Sequence, residues 1–180
     1  MDAVTTATAF LPGHQVAERI NAVLPGALEE ATDGWVRVEP DRLVEVCRFL
    51  HDNPELDARF LSLLSGVDRY EYFEIDYQIA SLAHNHRFAL KVHAYDHDQP
   101  EAPSVSSIWL GAKLQEREAY DLMGIRFSGH PDLKRLFLWD GFPGHPLRKD
   151  FMTLPGGFKP GLQRFPKEDP QVWGGEARVP

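Results

Sequence analysis

Two stretches of strict period-two hydrophobicity, joined by a short polar link, restrict the possible folds of this chain more than any other feature. Phe73, Ile75, Tyr77 and Ile79 alternate with Glu74, Asp76 and Gln78. Phe88, Leu90, Val92 and Ala94 alternate with Arg87, Ala89, Lys91 and His93. Successive side chains of a strand point to opposite faces, so each stretch predicts a strand with one apolar face. The Ala83–His86 link is short enough to make the pair an antiparallel hairpin. An apolar sheet face needs a cover, and the flanking sequence offers helices for it.

Val16, Ala17, Ile20, Val23 and Leu24 have helical spacing, which predicts a helix over His14–Leu24 that Pro25-Gly26 ends. Ala27–Ala31 and Trp35–Glu39 flank Thr32-Asp33-Gly34 and read as a second hairpin. Asp41 caps a second helix with the stripe Leu43, Val46, Cys47, Leu50, closed by Asn53-Pro54. Phe60–Ser65 reads as a buried strand that turns at Gly66, and Asp96–Pro103 as a loop. Ser106 or Ser107 can cap a third helix running to about Met123. Trp109, Ala112, Glu116, Tyr120 and Met123 share one face of it; Leu110, Leu114, Arg117 and Asp121 share the next. Apolar residues on both faces predict burial on two sides. Pro131 fits the first position of a further short helix, and Asp140–Pro146 is loop. The expected class is α+β: a mixed or antiparallel sheet of three to five strands flanked by helices, with an irregular C-terminal extension. Residues 1–154 are expected to form one domain. The segment 155–180, with five prolines and five glycines, is expected to be an extended tail docking on a partner through Phe158, Phe165 and Trp173.

A chain of 180 residues can bury a sizeable core. No apolar run approaches the roughly 20 residues of a transmembrane helix, and MDAVTTATAF lacks the features of a signal peptide, so a cytoplasmic location is expected. A net charge of -8 argues against nucleic acid or anionic membrane as a partner. The single cysteine, Cys47, excludes a disulfide framework and a cluster held by this chain's thiolates alone. Gly156-Gly157 is not followed by a P-loop Lys-Ser/Thr, and no GxGxxG follows a strand.

Charge concentrates instead between Glu116 and Asp150. Six acids (Glu116, Glu118, Asp121, Asp132, Asp140, Asp150) are matched there by six bases (Arg117, Arg126, Lys134, Arg135, Arg148, Lys149). Two Gly-His-Pro triplets, Gly129-His130-Pro131 and Gly144-His145-Pro146, each precede a leucine and a basic pair. Charges set among large apolar residues call for pairing, inside the fold or with a partner. Glu116 falls among apolar neighbours and is expected to need a cation; Arg126, Arg135 and Arg148 are the candidates for the acids of the third helix. Glu116 and Glu118 lie on different helix faces, poor geometry for a shared proton. His130 and His145, held extended before proline, are expected to lock loops by hydrogen bonds or to contact a partner. Ser128 is the only local hydroxyl for a nucleophile. His84, His86, His93 and His97 offer a metal-dependent enzyme as a reading from another class, although no cysteine joins them; a free adaptor is a third.

The blocks Glu116-Arg117-Glu118, Asp121-Leu122-Met123-Gly124-Ile125, Gly129 to Arg135 and Gly144 to Asp150 resemble, in order and spacing, those of the C subunit of the proton-pumping NADH:quinone oxidoreductase, respiratory complex I. The close resemblance covers Ile108 to Phe151. It implies a peripheral-arm protein on the cytoplasmic side of the cell membrane, without catalytic residues, cofactor or metal of its own. Flavin and iron–sulfur clusters would then lie in partner subunits. It also implies that the chain scaffolds the quinone-reducing D subunit beside the cluster-bearing subunits. The interface or charge-pair network would comprise Glu116, Arg117, Glu118, Asp121, Arg126, His130, Asp132, Lys134, Arg135, His145, Arg148, Lys149 and Asp150. The family usually continues Asp-Phe-Pro where Met152 follows Asp150-Phe151, a departure that bears on the tail. Ending at Pro180, the chain resembles the form not fused to the quinone-reducing subunit. The equivalent subunit of a membrane-bound [NiFe] hydrogenase or another complex-I-like, ferredoxin-dependent enzyme shares the Glu-Arg-Glu and His-Pro blocks and is the alternative.

Overall fold

The computed structural model describes residues 7–151; the proposed 155–180 tail and the end of the 1–154 domain lie outside them. In chain order the elements are β1 (Ala9–Phe10), α1 (Gly13–Val23), β2 (Leu28–Ala31), β3 (Val36–Val38), α2 (Leu43–Asp52), β4 (Phe60–Asp68), β5 (Phe73–Ser81), β6 (His86–Ala94), β7 (Glu101–Pro103), α3 (Ala112–Met123) and β8 (Arg126–Ser128). A 3-10 turn at Pro40–Arg42 leads into α2. The α+β class is as expected. The main sheet has the order β2-β3-β6-β5-β4, and the two-residue β1 joins it beside β6.

The β5–β6 hairpin is its centre. The pairing runs from Phe73↔Ala94 to Ser81↔His86 without a slip. That register aligns Phe73, Ile75, Tyr77 and Ile79 with Phe88, Leu90 and Val92 on one face, all at 0% exposure. Burying such side chains contributes about 1.5–3 kcal/mol each, and a one-residue slip would turn them all outward. The three helices supply the other wall of this core, α1 through Val16 and Ile20, α2 through Val46 and Leu50, α3 through Ala112 and Met123. β3 pairs with β6 in parallel and with β2 antiparallel, so the Leu28–Val38 hairpin extends the sheet. On the opposite face the polar members of the alternation pair among themselves: Glu74 receives Arg69 at 2.7 Å, Lys91 at 2.9 Å and His93 at 3.3 Å. Burial pushes the Glu74 carboxyl up, but the hydrogen bonds from Arg69, Lys91 and His93 outweigh it and hold the group at about 2.

Several local expectations are corrected. Gly66 is no turn: β4 runs through it to Asp68. A Cβ there would lie 2.6 Å from Met123 Sδ and 2.8 Å from Ile125 Cδ1, so the glycine admits α3 against the strand. Phe60–Ser65 is not a buried strand, because β4 is the sheet edge and leaves Phe60 and Leu63 about half exposed. The Asp96–Pro103 loop ends in a strand, β7, that pairs in parallel with β8. No helix starts at Ser106; α3 begins at Ala112, because the Ser104 and Ser106 hydroxyls are engaged elsewhere. No helix starts at Pro131 either; Pro131 and Asp132 form a turn. α3 is buried on two sides as expected, by the sheet along Ala112, Glu116, Ala119 and Met123 and by the later loop at Asp121, but Leu110 and Leu114 of the second stripe are exposed.

Candidate functional site

α3 carries the first half of the charged segment, and the loop from Gly129 to Asp150 wraps around it. Arg117 and Asp121 stand one turn apart, so both reach the same stretch of that loop. Asp121, fully buried, accepts the backbone N–H groups of Leu136, Phe137 and Leu138 on Oδ2 at 2.9, 2.7 and 2.9 Å. Arg135 Nη1 reaches Oδ1 at 3.0 Å. Burial pushes this carboxyl up, yet the three backbone donors and Arg135 bring it below the usual aspartate range. Arg135 further donates to the carbonyls of Phe142 at 3.1 Å and Gly144 at 3.3 Å. Arg117 donates to Lys134 O at 3.0 Å and Arg135 O at 2.8 Å. A loop with neither helix nor sheet to satisfy its backbone has charged side chains as partners instead, the stronger class of hydrogen bond.

The two Gly-His-Pro triplets clip this loop to opposite ends of α3. His130 Nε2 donates to Lys113 O at 3.1 Å, and its Nδ1 accepts from Asp132 N at 3.0 Å, which sets the neutral Nε2–H tautomer. His145 Nδ1 donates to Asp121 O at 2.8 Å, near the helix C-terminus where carbonyls lack intrahelical donors. Burial lowers the His145 pKa, against a smaller rise from the Asp121 carbonyl. Its ring fills the space beside Gly124, whose φ of 80° ends the helix in the left-handed region. Both imidazoles therefore lock the loop.

Glu116 departs from expectation: it has no cation among the described residues. Its side chain is fully buried, and it accepts from Ser104 Oγ at 2.6 Å and Val105 N at 2.8 Å. His130 Nε2 lies 4.0 Å away but is committed to Lys113 O. Burial raises the Glu116 carboxyl to about 7, against the lowering by Ser104 and Val105. Of the arginines offered for pairing, Arg135 takes Asp121. Arg148 reaches His97 Nδ1 at 3.0 Å and Asp150 at 3.4 Å, and the Arg126 residue is exposed.

Asp68 and His97 complete the arrangement, and sequence reasoning assigned neither to it. Asp68, at the end of β4, accepts from Lys149 N at 2.9 Å, Tyr70 N at 2.8 Å and His97 Nε2 at 3.2 Å. This fastens the chain at Lys149 to the sheet; Lys149 Nζ lies 4.1 Å over the Tyr70 ring. The sequence reads Ser106 or Ser107 as a helix cap and gives Ser104, the hydroxyl that donates to Glu116, no role. Asp132 and Lys134 pair on the surface at 2.9 Å. Glu118 is exposed, with no hydrogen bond or ion pair among the described residues.

The four histidines of the metal reading do not converge. His84 and His86 sit at one end of β6, with Nε2 on Pro54 O at 2.8 Å and Leu56 O at 3.0 Å. His93 and His97 lie at the other end, on Glu74 and Asp68. Seven residues of strand, roughly 23 Å, separate His86 from His93. Among the described residues no group of three or more His, Cys, Asp or Glu could hold a metal ion. No helix there is long and apolar enough to cross a membrane.

The same arrangement of elements and motifs recurs in known proteins. Residues 36–155 match the family described as respiratory-chain NADH dehydrogenase, 30 Kd subunit. The chain is 46% identical over 136 residues to an NADH-quinone oxidoreductase C subunit of Rhizobium etli, the second of that name, covering 74% of this chain and 71% of that one. It is 45% identical over 142 residues to the NADH-quinone oxidoreductase C subunit of Roseiflexus castenholzii, covering 75% and 81%. Among solved structures, a trypsin-resistant fragment of Nqo5 aligns with a TM-score of 0.53 at 32% identity, over 67% of this chain and 98% of the fragment. A chain of the archaeal membrane-bound sulfane sulfur reductase aligns with a TM-score of 0.62 at 21% identity, over 78% and 86%, a likeness of fold alone.

Proposed function

The chain belongs to the family of the respiratory-chain NADH dehydrogenase 30 kDa subunit, and from that premise we propose that it is a non-catalytic component of a proton-pumping NADH:quinone oxidoreductase. It scaffolds the quinone-reducing subunit in the peripheral arm, on the cytoplasmic side of the membrane. Flavin and iron–sulfur clusters belong to partner subunits in this reading.

The observation that carries the proposal is the use made of the motif charges. Arg117, Asp121 and Arg135 are spent on the backbone of the 134–144 loop, and His130 and His145 on carbonyls of α3. A segment held this way presents a fixed surface to a partner, and its central ionisable groups are already committed to structure. The residues left facing outward, Glu118, Arg126, Asp132, Lys134, Lys149 and Asp150, form the rim available to the quinone-reducing subunit.

The test is gentle detergent extraction of a tagged full-length chain from native membranes, with partners identified by mass spectrometry. Recovery with the quinone-reducing subunit, a flavoprotein, cluster-bearing subunits and membrane pump subunits is expected. Recovery with a nickel-site large subunit would move the chain to a hydrogenase, and recovery alone would refute the scaffold.

A further inference from the structure

The outer side of α3 carries an apolar ridge that the described chain leaves uncovered. Leu114 is 58% exposed, Leu147 57% and Leu63 47%. Between the β4 edge and α3 lies a groove of about 120 Å³ lined by Leu63, Gln115, Glu118, Leu122 and Leu147. An engineered apolar cavity of about 150 Å³ accepts a benzene ring, so the groove takes one apolar side chain. Helical spacing sets Leu114, Glu118 and Leu122 in one row beside it. The Gln115 carboxamide oxygen accepts the edge N–H of Leu64, which closes the strand at that point to an added β-strand. An occupant must therefore dock by its side chains. Glu118 supplies the charge at the rim, unpaired among the described residues.

We propose that this groove is a docking socket for a neighbouring protein of the complex, which inserts one aliphatic or aromatic side chain and sets a Lys or Arg within one helical turn against Glu118. The inference rests on the functional reading given above and deepens it by naming the surface. Buried anchor side chains in a pocket with a charged rim are the usual energetic centre of an interface. A second copy of this chain fits less well, since each copy carries a net charge of -8 and brings the same unpaired carboxylate.

A photocrosslinking residue, p-benzoylphenylalanine, replaces Leu114 or Leu147 in the tagged full-length chain, and the complex is irradiated in membranes before purification. The expected product joins either position to a peptide of another subunit, one that carries an apolar residue with Lys or Arg within four positions. Glu118→Lys lowers that yield by about tenfold through like-charge repulsion, and the isosteric Glu118→Gln lowers it less. Capture of residues 152–180 of the same chain, of a second copy, or of a peptide without a basic residue overturns the proposal. So does a yield insensitive to both variants, or no product from a chain that still co-purifies with the oxidoreductase. A chain that co-purifies with no part of the oxidoreductase overturns the functional reading, and the socket with it.

Discussion

Replacing Glu116 by Gln is expected to stabilise this protein at alkaline pH and to leave it unchanged at acid pH. The carboxyl sits at 0% exposure with a hydroxyl and one backbone N–H as partners and, among the described residues, no cation in contact. Its pKa stands at about 7 against an ordinary 4.5. As pH rises from 4.5, the unfolded chain releases this proton while the folded chain keeps it. The folded state then binds more protons, so stability falls with rising pH until about 7 and is level beyond. At about 1.4 kcal/mol per pH unit over that interval, the loss is about 3 kcal/mol. Gln keeps both contacts: its carbonyl oxygen accepts from Val105 N, and its amide donates to Ser104 Oγ, whose proton turns to Ser106 Oγ at 2.7 Å. Urea unfolding of the two full-length chains from pH 5 to pH 8.5 reads the difference directly. His145 and His86, whose pKa values burial lowers, act in the opposite sense below pH 6.5, but they are common to both proteins and cancel. The stability gap should widen from about 0.8 kcal/mol at pH 5 to about 3 kcal/mol at pH 8. A gap independent of pH, or a variant less stable at every pH, would refute the reasoning and show that the carboxylate is ionised and favourably held.

Asp121→Asn should cost about 3–5 kcal/mol, because it leaves Arg135 without its carboxylate and turns one acceptor of the loop into a donor; urea unfolding measures it. Hydrogen exchange at Leu136, Phe137 and Leu138 should accelerate in the same variant. Gly124→Ala meets the His145 ring at 2.7 Å with φ at 80°, so it should destabilise by more than about 1 kcal/mol and free the His145 clip, visible in imidazole NMR shifts. Glu74, held at about 2, contributes stability present above its ordinary 4.5 and lost as pH falls towards 2. Glu74→Gln should accordingly flatten the acid limb of the stability curve below pH 4.5, as read by circular dichroism during acid titration.

What the amino-acid order determined on its own is whatever a local period can encode. The alternation through Phe73–Ile79 and Phe88–Ala94 set the central hairpin and its buried face, because side-chain direction in a strand follows position alone. The blocks from Glu116 to Asp150 likewise identified the family by spacing. Tertiary structure decided where each charge went. Asp121 meets Leu136–Leu138, Asp68 meets Lys149, and Ser104 meets Glu116. These partners are far apart in sequence, and no periodicity links them. Glu116 read as an acid in need of a cation because a buried charge requires one. The fold answered by raising its pKa, an outcome of burial in the packed core that no local pattern encodes. Gly66 shows the same limit: a glycine reads as a turn until a helix lies across it, and only the tertiary structure brings α3 there.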